Sequence, residues 1–294
     1  MTAPQVSIVI LNWNGWKDTV NCLRSLRKLK YPNYHIVLID NGSTDDSIKE
    51  ITPYLNTNVH FICNKDNLGF ARASNQGIHY AINEMGAEYV WLLNNDTIVE
   101  RDALGFMVWE MRDPFIGMVQ PLMLRMNSKH IIDSTGHIIS WGQIYDRGSE
   151  ETNNGQYKNS KNLVGVSGAA GLYKTKMIKD IGLFAEFYGT CFEDNEYSWR
   201  AYLRGWKTKY VPDAIVYHKR SESLSRRINA DSAFEKQLYR FSHMPCKTHG
   251  TTLQKLQFVV SMVWMSGKSY IGYLWGRNHT GAAPYITAIK EMIR

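Results

Sequence analysis

A chain of 294 residues with 44% hydrophobic and 21% charged side chains can bury a full core as one large domain or one domain with an appendage, which excludes a disordered or fibrous protein. Its four cysteines, Cys22, Cys63, Cys191 and Cys246, form no CxxC pair, so neither a disulfide framework nor a thiolate zinc site is expected, and a reducing cytoplasm is the default. The net charge of +7 sits in the tail: residues 218–294 carry 12 Lys and Arg against 4 Asp and Glu, while 1–217 carry 22 against 23. Such a tail draws an anionic partner, a phospholipid surface or a nucleic acid, or forms a solvated charged face.

The N-terminus has no basic stretch leading into a long apolar one, so no signal peptide is expected. The first apolar run, 6–11 (VSIVIL), and a second, 36–39 (IVLI), are rich in β-branched residues and end in polar ones, as buried parallel strands do. Between them Val20, Leu23, Leu26 and Leu29 recur at helical spacing, which completes a βαβ unit. Helices are predicted near 45–55 and 70–85, and strands at 59–62 and 89–93. This alternation predicts a mostly parallel sheet with helices on both faces.

In such sheets ligands bind beyond the carboxyl ends of the strands. The residues there, 12–16, 40–45, 64–67 and 94–97, are polar or turn-forming. From 114 to 165 the pattern weakens, and 148–154 reads as a mobile loop. Further on, a strand is predicted at 163–167, a small-residue turn at 168–171, helices at 174–180 and 194–204, and strands at 208–211 and 214–217.

The segments SIVILNWNG, VLIDNGSTDDS, NKDNLGFARASNQGI, WLLNNDTIV, FEDNEYSWRAYLRGW and VYH follow one another in that order. Together they resemble family 2 of the glycosyltransferases, especially its bacterial rhamnosyl- and galactofuranosyl-type branch, over about residues 5–220. The resemblance implies an α/β fold of the GT-A type with a donor half (1–113), an acceptor half (114–220) and a basic, helical C-terminal extension (221–294). It also implies an inverting transfer of a sugar from a nucleotide diphosphate, of the dTDP-rhamnose or UDP-hexose kind, to a hydroxyl of a glycan or lipid-linked acceptor.

By the same resemblance Asp40 recognises the pyrimidine base, with Asn12, Asn67, Asn95 and Asp96 completing the donor nucleotide site. A carboxylate suits this task because it accepts the imide N–H of uracil or thymine. Asn94-Asn95-Asp96 stands where the family carries a DxD-type motif for Mn²⁺ or Mg²⁺, with Asn94 in place of the first acid. Asp96 is then the expected metal ligand, His218 completes the site and Asn94 can add an amide oxygen. Asp194 is the expected general base, with Glu193 and Glu196 orienting it or binding acceptor hydroxyls. Gly168 and Ala169 would let the chain approach the donor sugar or diphosphate, and Arg72 is a candidate phosphate contact.

Each of these residues also has a plainer reading. Asp40 can cap a helix, 94–96 can be a turn after a strand, and His218 can be structural. The acids at 193–196 can simply complement a helix dipole, and the Gly-Ala turn can be packing.

In the tail, Leu253, Leu256, Val260, Val263, Trp264, Ile271, Leu274 and Trp275 approximate a helical stripe with Lys255, Lys268 and Arg277 among them. Its longest apolar stretch is far below the roughly 20 residues of a spanning helix. An interfacial helix at the inner face of a membrane, packing against the catalytic domain and a homodimer contact all fit. Two other functions compete. A sugar nucleotidyltransferase would need a Gly-rich, basic first loop, where this chain has 12–16 (NWNGW). A non-catalytic nucleic-acid-binding protein leaves the acidic strand ends unexplained, and no nucleic-acid partner is expected for a transferase.

Overall fold

The computed structural model describes residues 3–140, 143–159, 163–190 and 192–220, and of the tail 251–253, 256–257, 260 and 263–264. The chain divides into two compact units, 1–138 with 146–220, and 139–145 with 221–294. The first unit carries the strand ends singled out above.

Its elements begin with β1 (Val6–Asn12), α1 (Trp16–Leu26), β2 (Tyr34–Asp40), α2 (Ser47–Ile51), β3 (Val59–Cys63), α3 (Phe70–Asn83) and β4 (Tyr89–Asn94). Then come β5 (Thr97–Val99), α4 (Ala103–Glu110), β6 (Ile116–Arg125), β7 (Ser128–Ser134), β8 (His137–Ser140) and β9 (Gln143–Asp146). The series ends with β10 (Leu172–Lys174), α5 (Thr175–Ile181), α6 (Glu193–Leu203) and β11 (Lys207–His218). The main sheet runs β3-β2-β1-β4-β10-β6-β11-β5, with β7 paired to β6, while β8 and β9 form a separate ribbon. The strands β1, β2, β3, β4, β6 and β11 point the same way, and β5, β7 and β10 run against them.

Alternation along each strand sorts the core onto two faces. Ile8, Ile10, Leu38, Trp91 and Leu93 meet α1 and α4 through Leu23, Leu26, Leu104 and Met107. Val9, Val37, Ile39, Val90 and Leu92 meet α3, α5 and α6 through Ala71, Ile78, Ala81, Met177, Ile178 and Tyr197. Each fully buried Leu or Ile contributes about 1.5–3 kcal/mol, and a one-residue slip of any strand would expose its whole set.

Four expectations need correction. Residues 163–167 are not a strand; they pass through a single bridge, His137 to Gly165. The two strands expected at 208–211 and 214–217 are one, β11, whose register against β6 jumps between Val211 and Ile215. The longest strand of the weak region, β6, was hidden by its composition. It is buried nearly throughout, so it shows no alternation, and it contains Pro121, which argues against a central strand. Pro121 is accommodated where β11 breaks register and beyond Val119, the last residue that β10 pairs. The stretch read as a mobile loop is bonded to β7: Ile132 N–H donates to Glu151 O at 2.8 Å and Asn153 N–H to His130 O at 2.7 Å.

Most of the tail reading, including the basic run after Arg220 and Ile271, Leu274 and Trp275, lies outside the described residues. Leu253, Leu256, Val260, Val263 and Trp264 are exposed. Among the described residues no helix is long and apolar enough to cross a membrane.

Candidate active site

Parallel register places the polar strand ends side by side. Asn12 stands opposite Asp40, and Leu11 opposite Asn94. Asp40 is fully buried and accepts from Asn12 Nδ2 at 2.7 Å and from Ser43 N–H at 2.9 Å. Asn12 Oδ1 in turn accepts from Thr19 Oγ1 at 2.7 Å, and Asn95 Nδ2 donates to the same hydroxyl at 2.9 Å. The loops after β2 and β3 interlock similarly: Asn41 Nδ2 donates to Asn67 Oδ1 at 3.0 Å, and Asn67 Oδ1 also accepts Gly69 N–H at 2.9 Å. Gly42, at φ +75°, permits this contact, because a Cβ there would lie 2.5 Å from the Asp66 carbonyl carbon.

At the other end of this edge, β5 begins immediately after Asp96 and pairs antiparallel with β11, with Thr97 opposite His218. Lys219 N–H continues the ladder to Asp96 O at 2.9 Å. The result is a buried row: Asp96 Oδ1 lies 3.2 Å from His218 Nε2, and His218 Nδ1 lies 2.7 Å from Asp133 Oδ2. Asn94 Nδ2 stands 3.4 Å from the same Nε2. Asp133 Oδ1 faces Arg125 at 3.4 Å and Arg220 at 3.5 Å.

Burial works against a charged imidazole, but the hydrogen bonds and charges of Asp133 and Asp96 outweigh it and hold His218 up at about 9. Burial also works against the Asp133 carboxylate; His218, Arg220 and Arg125 overcome it and lower its pKa. Since the folded value for His218 exceeds the ordinary 6.5, its stabilising contribution is complete below about pH 6.5 and is lost as pH rises through about 9. In EDTA, the melting-temperature advantage of the wild type over His218→Gln should therefore shrink from pH 6.5 to 9.5. An advantage that stays constant over that window would contradict the pairing.

Asp194 lies in the first turn of α6 with Glu193 and Glu196. Its Oδ2 accepts Gly168 N–H at 2.8 Å. Gly168 suits this approach, because a Cβ on it would come within 3.1 Å of Asp194 Cβ. The next residue, Ala169, accepts Asn94 N–H through its carbonyl at 2.9 Å. One short turn thus ties Asp194 to the strand end that carries 94–96.

His137 Nε2 faces Asp194 at 3.9 Å and Asp146 at 3.6 Å, and Asp146 lies 3.9 Å from Arg220. Glu193 is buried. Both oxygens of Glu196 are taken by Arg200, at 2.9 and 2.8 Å, and Arg200 also bonds the carbonyls of Ile181 and Leu183. That carboxylate anchors α6 to the end of α5. Arg72 is exposed and lies 3.9 Å from Glu186.

Asn14, Glu150, Phe192 and Arg220 are the described non-glycine residues with positive φ, at 51°, 68°, 70° and 50°. All four border this region: Asn14 bonds the 43–45 loop, Glu150 and Arg220 adjoin Asp133, and Phe192 precedes α6. Strain of this sort costs about 1–3 kcal/mol each and concentrates at functional sites.

The structure therefore gathers Asn12, Asp40 and Asn95 at one end and Asn94, Asp96 and His218 at the other, with Gly168, Ala169 and Asp194 joined to the second group. Sequence reasoning missed Asp133, His137 and Asp146. All three lie between 114 and 165, where no periodicity drew attention to them.

Residues 4–233 match the model of the family described as glycosyltransferase like family 2. The chain belongs to that family. This family 2 glycosyltransferase is 28% identical over 272 residues to a poly-beta-1,6-N-acetyl-D-glucosamine synthase of Staphylococcus aureus; the alignment spans 88% of this chain and 62% of that protein. Among solved structures it is similar to the mannosyltransferase PcManGT from Pyrobaculum calidifontis in complex with GDP-Man and Mn²⁺, with TM-score 0.60, 13% identity, 100% of this chain and 88% of the other. It is also similar to S. aureus TarS 1-349 in complex with UDP-GlcNAc, with TM-score 0.57, 16% identity, 97% and 90%. The fold is thus the expected GT-A type. The names of these three carry no rhamnosyl or galactofuranosyl donor.

Proposed function

We propose that this glycosyltransferase moves a sugar from a pyrimidine nucleotide-diphosphate donor to an acceptor hydroxyl in one inverting displacement. The supporting observation is the pairing of Asp96 Oδ1 with His218 Nε2 at 3.2 Å on a strand end that one turn links to Asp194. The Asp96 carboxylate suits a hard divalent cation, and the His218 imidazole is tolerated better by Mn²⁺ than by Mg²⁺. Adjacent ligands of an octahedral ion with bonds of about 2.1 Å lie about 3.0 Å apart, and Asn94 can add its oxygen by turning its amide. Among the described residues no third acidic, histidine or cysteine side chain joins the two on that side, which leaves positions for diphosphate oxygens. When bound there, Mn²⁺ or Mg²⁺ would neutralise charge on the departing diphosphate.

Asp194 receives the acceptor proton, and the Gly168 N–H holds its carboxylate in place. Asp40 anchors the base. The carboxylate has no exposed surface, so the 43–45 loop, held by Ser43 and Asn14, must shift for an imide N–H to reach one of its remaining acceptor sites. Asp40→Asn should then weaken UDP or dTDP binding about 10- to 100-fold, the value of one hydrogen bond to a charged group, with kcat nearly unchanged at saturating donor. Unchanged nucleotide affinity in a variant that melts like wild type removes the assignment. A transfer assay with dTDP-rhamnose, UDP-glucose, UDP-galactose, UDP-GlcNAc and GDP-mannose, with and without Mn²⁺, tests the reading as a whole. The synthase and the TarS complex support including UDP-GlcNAc. Release of pyrophosphate, or no transfer from any pyrimidine donor, overturns it.

A further inference from the structure

The row Asp96–His218–Asp133 has a member for which the transfer reaction itself has no task. Asp133 is buried on β7, out of the run of motifs, and touches His218 on the ring nitrogen opposite Asp96. We propose that Asp133 is the positioning residue of the metal site: it accepts a hydrogen bond from His218 Nδ1–H, fixes the ring, and so directs the Nε2 lone pair at the cation beside Asp96. The proposal rests on the metal reading given above.

Three observations carry it. The Nδ1 to Oδ2 distance of 2.7 Å is that of a charge-assisted hydrogen bond. The second oxygen of Asp133 faces Arg125 at 3.4 Å and Arg220 at 3.5 Å, which leaves Oδ2 to His218. The backbone also fixes both partners: Asp133 precedes Ser134, which pairs with Met123 of β6, and His218 pairs with Arg125 of the same strand. A neutral imidazole has one proton for two nitrogens. With a cation beside Asp96 taking Nε2, the acceptor at Nδ1 holds the remaining proton, and such partners of metal-binding histidines typically govern affinity by about 10- to 100-fold.

The test is Mn²⁺ affinity of the full chain in the presence of UDP, read by electron paramagnetic resonance rather than by turnover. Asp133→Asn should raise the Mn²⁺ dissociation constant about 10- to 100-fold, and Asp133→Glu, which keeps the charged acceptor, should recover most of that loss. Metal-free UDP binding should not change. In a His218→Ala background, Asp133→Asn should add nothing, whereas a residue that merely supports the fold would weaken the site further. Wild-type Mn²⁺ affinity in Asp133→Asn, or additive losses in the double variant, overturns the assignment to Asp133. A wild-type chain that binds no Mn²⁺, or a His218→Ala variant that binds it normally, overturns the metal reading instead.

Discussion

Asp194→Asn should lower kcat by about 10²-fold or more, the usual contribution of a general base, while the donor KM stays within a factor of about two. The amide oxygen can still accept Gly168 N–H and so keep the turn at 168–171 on Asn94, while the bond from Asn195 N–H to the other oxygen is lost. What disappears is the capacity to take a proton as the acceptor oxygen attacks. The stereochemistry is a second readout, because a single displacement inverts the anomeric centre. Near-normal kcat in Asp194→Asn would transfer the role to Glu193, since Glu196 is already occupied on both oxygens by Arg200. A product with retained configuration would rule out direct displacement with any base.

Removal of Asp96 should be as damaging by a different route. Stabilising a departing diphosphate is worth several kcal/mol, so Asp96→Ala should lower kcat/KM by about 10²-fold or more. Excess EDTA should abolish transfer by the wild type, and Mn²⁺ should restore it. In Asp96→Ala the Mn²⁺ needed for half-maximal rate should rise, because His218 would be left as the one strong ligand on that side. Full activity in EDTA defeats the claim outright.

Much of this site was legible because parallel strands put their carboxyl ends in one row, and each end is short and polar. The strand pattern alone placed the segments 12–16, 40–45 and 94–97 at strand ends, while the roles of Asp40, Asn94, Asp96, Asp194 and His218 needed the resemblance carried by the order of the motifs. The region from 114 to 165 stayed opaque for a physical reason. β6 is apolar on both faces and interrupted by Pro121, and β7 mixes exposed His130 with buried Ile132 and Asp133. β1 and β4 are also buried without alternation but read as nearly unbroken apolar runs; Gly117, Gln120 and Pro121 break that run in β6. Asp133, which pairs with His218, and His137, which faces Asp194, come from this region, so the proposed metal ligand and base were readable and their neighbours were not. Glu196, expected to orient the base or to bind acceptor hydroxyls, has both oxygens held by Arg200.

The irregularity in β11 carries a further consequence. Between Val211 and Ile215 three residues, Pro212, Asp213 and Ala214, pass while β6 advances by a single step from Pro121 to Leu122. Beyond it Ala214, Val216 and His218 are buried in alternation with Ile215 and Tyr217, which pack with Leu124 and Ile132 in another cluster. His218 therefore reaches Asp96 only because the count of residues in that bulge leaves the strand in the correct phase, much as codons depend on a reading frame. Gain or loss of one residue there would turn His218 to the opposite face and Val216 with it. Surface loops generally tolerate length variation; a change in this stretch would shift the strand's phase, so among related chains its length should vary less than its composition.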